Sequence, residues 1–407
     1  MKDIIFVSQV LEYPPTGGPQ LRIDNTIKVL KKLTNIHLFN RDRSLNFYEY
    51  KKSFEYYKKN SLNYVDLINL YKEKNQKLKK IQIKFSTLFF NIFALKHALR
   101  IVDYARKKKI NIIWVGFGNL SFGLIIFIKI LYPKCKVIFD TDSVWSRYIL
   151  REIPHANIIR KLFLYITGNL KRFEEFLLTQ ICDITTAVSD IDSKYYKKFI
   201  KDKSKIKIFS NVIDLNSYKV DLFKSKINSK YPSIFLAGSF GHINSPMDQA
   251  AKWMIEEVLP LIWKKSNKAK LYLIGRNADK SFKKYLNHKN ILIKGKVDSV
   301  LPYLMHSNVS VVPLKFESGT RFKILEAAAC NIPVVSTSLG AEGLNLAHNK
   351  EIIIADNAEQ FADSIIELLL NKSKAKYISS NSRKIIEKYY SLNYLEREAK
   401  AILCALK

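Results

Sequence analysis

The chain has 407 residues, 47% of them hydrophobic, and carries 68 Lys+Arg against 36 Asp+Glu, a formal net charge of +32. That length suggests two to three domains with sizeable apolar cores. Its four cysteines, Cys135, Cys182, Cys330 and Cys404, stand far apart, which excludes a disulfide framework or a metal-ligand spacing and suits a reducing cytosol. The basic surplus implies attraction to polyanions such as nucleic acid, an anionic membrane face or phosphorylated substrates. Much of it is lysine scattered beside asparagine and isoleucine, and no nucleic-acid motif accompanies it.

Taken in chain order, Ile4–Val10 reads as a buried strand by its β-branched run; its apolar run is too short for a signal peptide. It ends in Tyr13-Pro14-Pro15-Thr16-Gly17-Gly18-Pro19, which must be a loop. A helix is expected from about Gln20 to Leu33, with Arg22 and Asn25 three apart on one face, and Ile36–Phe39 follows as a strand. Residues 45–110 are rich in Lys, Tyr and Phe and read as helices with a polar face. Ile112–Gly116 and Lys136–Asp140 read as strands around an apolar helix. Its core, Leu120–Tyr132, is too short to span a membrane, which takes about 20 apolar residues. A long helix is expected from about Pro154 to Ile181, then strands at Ile184–Val188 and Lys207–Ser210, the first followed by the helix-capping pair Ser189-Asp190.

A second alternating series begins at Ser233–Ala237 and is broken by Gly238-Ser239. It continues through a helix from about Asp248 to Trp263, strands at Lys270–Ile274, Ile291–Lys294, Val309–Pro313 and Val334–Thr337, and a final amphipathic helix from about 380 to 407. Strands alternating with helices imply parallel, doubly wound sheets. Two such series imply an α/β protein of two Rossmann-like halves, 1–212 and 213–379, facing across a cleft. Ligands bind such sheets at the C-terminal strand ends, where Gly17, Gly18, Gly116, Gly118, Gly238, Gly275, Gly295 and Gly319 fall.

The most informative stretch is VVPLKFESGTRFKILEAAACNIPVVSTSLGAEGL, residues 311–344. An apolar strand opens into a loop with Gly319-Thr320, which feeds a helix carrying Arg321, Lys323 and Glu326. Backbone N–H groups and the helix dipole at such a loop favour an anion. With Arg and Lys added the loop suits a diphosphate, and a Glu one turn on suits the hydroxyls of a ribose.

This stretch resembles the nucleotide-sugar site of glycosyltransferase family 4, of GT-B fold, in the bacterial branch whose loop reads G-T-R-x-K-x-L-E-A. The following P-V-V-S-T-x-x-G-A-E-G-L and the segment Asp140-Thr141-Asp142-Ser143-Val144-Trp145-Ser146-Arg147 match the same branch. The resemblance implies a donor site made of Gly17, Gly18, Gly238, Ser239, Gly275, Arg276, Gly319, Thr320, Arg321, Lys323 and Glu326. It also implies that the last helix crosses back to the N-terminal domain. Arg321 and Lys323 would stabilise the leaving diphosphate, so that neither a metal nor another cofactor is needed. Asp142 either contacts the acceptor hydroxyl or donor sugar, or, with Asp140, caps the following helix. The chain departs from the family twice. Ser318 stands where many members carry a first glutamate, with Glu317 one place off. No Arg or Lys follows Gly238-Ser239, where His242 either touches the transferred sugar or is structural.

The implied function is transfer of a sugar from a nucleotide diphosphate to a glycan or lipid-linked acceptor, with retention expected. The setting is surface-polysaccharide synthesis (capsule or lipopolysaccharide) on the inner face of a bacterial membrane. The basic runs Lys72–Lys84 and Arg106–Lys109 either lie against anionic lipid or form solvated helix faces. The alternatives are another GT-B activity, such as a sugar phosphorylase, and a non-catalytic basic scaffold.

Overall fold

The computed structural model describes residues 2–41, 45, 47–67, 92–219, 224–227, 230–241 and 245–406. The run Lys72–Lys84 and His242 lie outside them. The chain divides into two compact units. The first comprises Met1–Ser146, Ile166–Val212 and Leu392–Lys407; the second comprises Arg147–Tyr165 and Ile213–Ser391.

The first unit is built on a seven-stranded sheet in the order β3-β2-β1-β4-β5-β6-β7, every pair parallel. The strands are β1 (Lys2–Ser8), β2 (Thr34–Asn40), β3 (Asn63–Asp66), β4 (Ile112–Val115), β5 (Lys136–Phe139), β6 (Ile184–Ala187) and β7 (Ile206–Ile208). Strand β1 shows why the central runs are continuously apolar. Ile4 and Phe6 pack in one core cluster while Ile5 and Val7 pack in another, on the opposite face. The helix Leu392–Cys404 seals the first of these with Leu395, Ala399 and Ile402.

The second unit has a six-stranded parallel sheet in the order β10-β9-β8-β11-β12-β13. Its strands are β8 (Ser233–Ala237), β9 (Lys270–Ile274), β10 (Ile291–Lys294), β11 (Val309–Val312), β12 (Val334–Ser336) and β13 (Ile353–Ile354). One continuous core fills this unit. Both sheets reverse direction of winding once, between β1 and β4 and between β8 and β11, and these are the switch points where such sheets leave a crevice.

The elements depart from the sequence expectation in four places. Residues 45–110 include the edge strand β3, which pairs with β2 from His37↔Asn63 to Asn40↔Asp66; its polar composition hides it. The helix expected from Pro154 begins as a short 3₁₀ turn and becomes α-helical at Ile158. The two-residue strand β13 has too short a pattern to read. The single helix expected over 380–407 is two, Lys372–Tyr389 and Leu392–Cys404. Between them Tyr390 accepts a hydrogen bond from the Ile213 amide at 3.0 Å, and Ser391 forms a bridge with Ile213. That pairing takes backbone groups the helix would have needed.

Candidate functional site

In the second unit three segments gather at the C-terminal edge of one sheet. Gly238-Ser239 leaves β8, Gly275-Arg276 leaves β9, and the loop 313–321 leaves β11. The first two are packed backbone to backbone. Gly275 has φ 144°, and a Cβ there would lie 1.8 Å from the Gly238 carbonyl oxygen, so only glycine fits. The Gly238 amide donates to the Ile274 carbonyl at 3.1 Å, and the Phe240 amide to the Arg276 carbonyl at 2.9 Å. Ser239 and the Arg276 side chain remain exposed.

The loop after β11 turns through Gly319 at φ 80°, the left-handed region that glycine alone enters freely. Arg321 is the N-cap of the helix Phe322–Ala329 rather than a residue within it. Its buried guanidinium turns back onto its own loop, Nη1 donating to the carbonyls of Ser318 and Gly319 at 2.5 Å each. No side chain caps the helix start. Thr320 is buried, and Lys323 and Glu326 are half-buried, three residues apart on one helix face. The end of β12 ties to the same loop, with Thr337 Oγ1 donating to the Leu314 carbonyl at 2.5 Å.

Desolvation pulls the Lys323 ammonium below its ordinary range, Glu317 and Glu326 oppose that, and Arg321 adds to it. Glu326 is pushed up by burial, against the pull of the Tyr218 hydroxyl and Lys323. Tyr218 donates to Glu326 Oε1 at 3.0 Å. Tyr218 went unread in the sequence, because it stands over a hundred residues from its partner. Ser318, at the position where a glutamate was looked for, is buried, and its Oγ makes no hydrogen bond among the described residues.

A second feature of this unit also escaped the sequence. Glu342 is clasped by Arg147 Nη2 at 3.0 Å and by Arg151 at 2.9 and 2.7 Å. Arg151 also donates to the Glu317 carbonyl at 2.8 Å. Burial raises the Glu342 carboxyl, but Arg151 and Arg147 outweigh it and hold the group below its ordinary value. The turn Gly340–Gly343 is therefore tied to Arg147 and Arg151 by ion pairs.

In the first unit, Gly17 and Gly18 follow β1 and Asp142 follows β5, so both lie at the C-terminal edge of that sheet. Gly17 caps the first helix in extended conformation, and a Cβ there would meet only the tip of Gln20. The two acids after β5 part company. Asp140 is wholly buried and fully engaged, accepting from Arg22 at 2.5 Å, Trp114 Nε1 at 3.0 Å and Thr186 Oγ1 at 2.7 Å. Arg22 also holds the Phe209 carbonyl and Asn211, and Asn25 holds the Val212 carbonyl. Arg22, Asn25 and Asp140 thus lock the first helix to the end of the unit. Asp142 has one side-chain donor, Trp145 Nε1 at 3.1 Å. Desolvation lifts its carboxyl to about 7, against Arg22 and the Trp145 bond. Glu175, which accepts from the Ser146 amide and hydroxyl, and Glu398, which accepts from those of Ser210, are likewise raised by burial to about 7. Among the described residues no cluster of His, Cys, Asp and Glu side chains could hold a metal ion.

This geometry can be set against known proteins. Residues 233–371 match the family of group 1 glycosyl transferases. The match covers β8 to the helix Ala358–Leu370, and so includes the whole glycine and Arg321–Glu326 edge. An uncharacterized 44.6 kDa protein in the cps region of Klebsiella pneumoniae is 28% identical over 150 residues, which is 35% of this chain and 39% of that protein. The aligned part is thus well under two thirds of that relative. Solved structures align over the full length. Anabaena HepE, in complex with UDP and glucose, has a TM-score of 0.67 at 11% identity, covering 100% of both chains. The sucrose-phosphate synthase of Thermosynechococcus elongatus has a TM-score of 0.72 at 13% identity, covering 100% of this chain and 99% of that one. A mutant of S. aureus TarM, in complex with Fondaparinux, alpha-GlcNAc-glycerol and UDP, reaches 0.68 at 14% identity over 99% of each. At these identities the likeness is one of fold, and the fold is GT-B.

Proposed function

We propose that the chain is a glycosyltransferase that moves a hexose from a nucleotide-diphosphate donor to a glycan or lipid-linked acceptor, with retention at the transferred carbon. The observation that carries this reading is the sheet edge of the second unit. There Gly238-Ser239, Gly275-Arg276 and Gly319–Glu326 meet at a switch point, with a desolvated lysine beside an uncapped helix start. A diphosphate at that edge would meet helix-start amides, Lys323 and the field of Arg321. Charge growing on the leaving diphosphate would strengthen each of these contacts, which is how a site lowers a barrier. Glu326, oriented by Tyr218, would accept the ribose hydroxyls. Asp142 is the candidate for the acceptor hydroxyl or the donor sugar. In this reading the protein's cations take the place of a metal, and no cofactor takes part.

The group 1 family match supports the reaction class. The UDP and glucose of Anabaena HepE and the glycan ligand of TarM support a nucleotide-sugar donor and a glycan acceptor. The cps-region relative supports a role in surface polysaccharide; the setting on the inner face of the cytoplasmic membrane is part of the proposal. The test is a thermal-shift screen against nucleoside diphosphates and nucleotide sugars, followed by release of nucleotide diphosphate. A ligand at 100 times its Kd adds about 2.7 kcal/mol of stability. A shift with one donor and slow hydrolysis of it supports the transferase. A folded protein that none of them stabilises overturns it and leaves the scaffold reading.

A further inference from the structure

Asp142 sits in a run whose backbone is pinned on both sides of it. Of residues 140–146 only Asp142 and Trp145 are half-buried, the rest being buried. The Thr141 amide donates to Thr186 Oγ1 at 3.0 Å, and the Thr141 hydroxyl to the Thr186 carbonyl at 2.7 Å. The Ser143 carbonyl accepts from Asn119 Nδ2 at 2.8 Å and from the Tyr196 hydroxyl at 3.4 Å. With the backbone fixed, the freedom left to Asp142 is rotation of its side chain. Trp145 Nε1 restrains that rotation, donating to Oδ1 at 3.1 Å. The direction of the carboxylate therefore depends on how firmly Trp145 is held.

One turn of another helix holds it. Lys171 and Glu175 are four apart on the helix Ile158–Ile181 and so share a face. Lys171 places its Nζ over the Trp145 ring, 5.8 Å from the centroid, and the Phe117 ring meets the indole edge to face at 5.9 Å. Lys171 Nζ is itself tethered to the Asn119 carbonyl and, at 2.7 Å, to Glu174. Glu175, only 1% exposed, takes the backbone. Its Oε1 accepts from the Ser146 amide at 3.1 Å and its Oε2 from the Ser146 hydroxyl at 2.5 Å, and the Trp145 amide adds to the hold. Trp145 opens a helix, and the first amides of a helix have no partner within it. Glu175 supplies from a distance what a local capping side chain supplies elsewhere. Tyr195 Oη, 2.7 Å from the Ser146 hydroxyl, closes the network. Every residue of it belongs to the first unit.

We propose that Glu175 is a positioning residue for the transfer reaction: by fixing the Trp145–Ser146 backbone it sets the indole that aims the Asp142 carboxylate. This role rests on the reading above that Asp142 serves the acceptor hydroxyl or the donor sugar. Glu175 is too deeply buried to meet a substrate itself, so it acts through Trp145.

The tryptophans of the chain are Trp114, Trp145, Trp253 and Trp263. Nitrogen-labelled tryptophan in the full chain therefore gives four indole N–H signals by NMR, and Trp145→Phe identifies the one that matters. The measurement is solvent exchange of that N–H at pH 8, above the values to which burial lifts both carboxyls; it needs no substrate. Glu175→Ala should speed the exchange at least about tenfold, as for loss of a hydrogen bond to a charged group, and leave the other three signals in place. Glu175→Gln, which keeps the shape but not the charge, should give a smaller rise, and it decides the matter if Glu175→Ala does not fold. In turnover, followed as release of UDP from UDP-glucose, both variants should lower kcat with KM unchanged, and should add nothing in an Asp142→Asn background. Three results overturn the proposal: a wild-type exchange rate at Trp145 in the folded variants, a change spread over all the tryptophans, or a loss of kcat that adds in full to that of Asp142→Asn. Wild-type kcat in Asp142→Asn itself would instead overturn the reading of Asp142, while the exchange rates would still report what Glu175 holds.

Discussion

Asp142→Asn should make the protein more stable above neutral pH and less active. Burial raises this carboxyl from 3.8 to about 7, which corresponds to ~4 kcal/mol of disfavoured ionisation at full strength. Solvent reaches part of the side chain, so screening reduces the expected effect to about 1–2 kcal/mol. The sign follows from proton counts. Between pH 4 and 7 the folded protein keeps a proton on Asp142 that the unfolded chain has released, so stability falls as pH rises through that window and stays low above it. Asparagine removes the dependence and can still accept the Trp145 hydrogen bond. Urea unfolding of both proteins at pH 4 and pH 8 measures it: the gain from Asp142→Asn should be near zero at the first and about 1–2 kcal/mol at the second. Glu175 and Glu398 titrate over the same range, but they are common to both proteins and cancel. If Asp142 takes a proton from the acceptor, wild-type turnover should also rise with pH through about 7, and the variant should lose that rise. A stability difference that is the same at both pH values would show that the carboxylate is not desolvated, and the reasoning would fail.

Three further outcomes are expected. Glu326→Ala should weaken donor binding about 10- to 100-fold in a folded protein, and Tyr218→Phe should weaken it less, because it removes only the group that orients the carboxylate; normal titrations of a donor with both variants would remove Glu326 from the site. Arg321→Lys and Lys323→Ala should lower kcat as well as kcat/KM, since the charge they meet grows in the transition state and lysine lacks arginine's planar fork; steady-state kinetics at wild-type values for both would place the diphosphate elsewhere. Gly275→Ala should fail to accumulate as folded protein, because its Cβ would overlap the Gly238 carbonyl at 1.8 Å; a soluble variant with a wild-type melting temperature would contradict that packing.

What the sequence made legible is what is local. The parallel strands announce themselves because burial on both faces leaves no polar alternation, as in β1 and β11. The loop Gly319–Glu326 is legible because glycine, cations and acid fall within one turn of a helix start. What stayed hidden is held by distant partners. Tyr218 meets Glu326, and Arg147 and Arg151 meet Glu342, across separations that no period or spacing encodes. The roles of Arg22 and Asn25 were hidden for the same reason: their i, i+3 spacing gives a shared face, but not that the face is tied to Asp140 and residues 209–212.

The loop after β11 brings two cations, Arg321 and Lys323, to a helix start. Arg321 donates to the carbonyls of Ser318 and Gly319. Lys323 sits beside it, desolvated enough that its proton is held less tightly than in water. Of the two acids whose charge favours the Lys323 ammonium, Glu317 and Glu326, the second is itself pushed toward neutrality by burial and held by Tyr218. Glu342, which also feels Arg321, is already committed to Arg147 and Arg151. An arriving diphosphate would add negative charge beside Lys323, favour its protonated form and be bound more tightly for it. Donor binding should therefore be accompanied by proton uptake at alkaline pH, with affinity falling before the ordinary lysine range is reached. Calorimetry in two buffers of different ionisation enthalpy reads that uptake directly. Its absence, with a donor bound, would mean that Lys323 does not face the diphosphate.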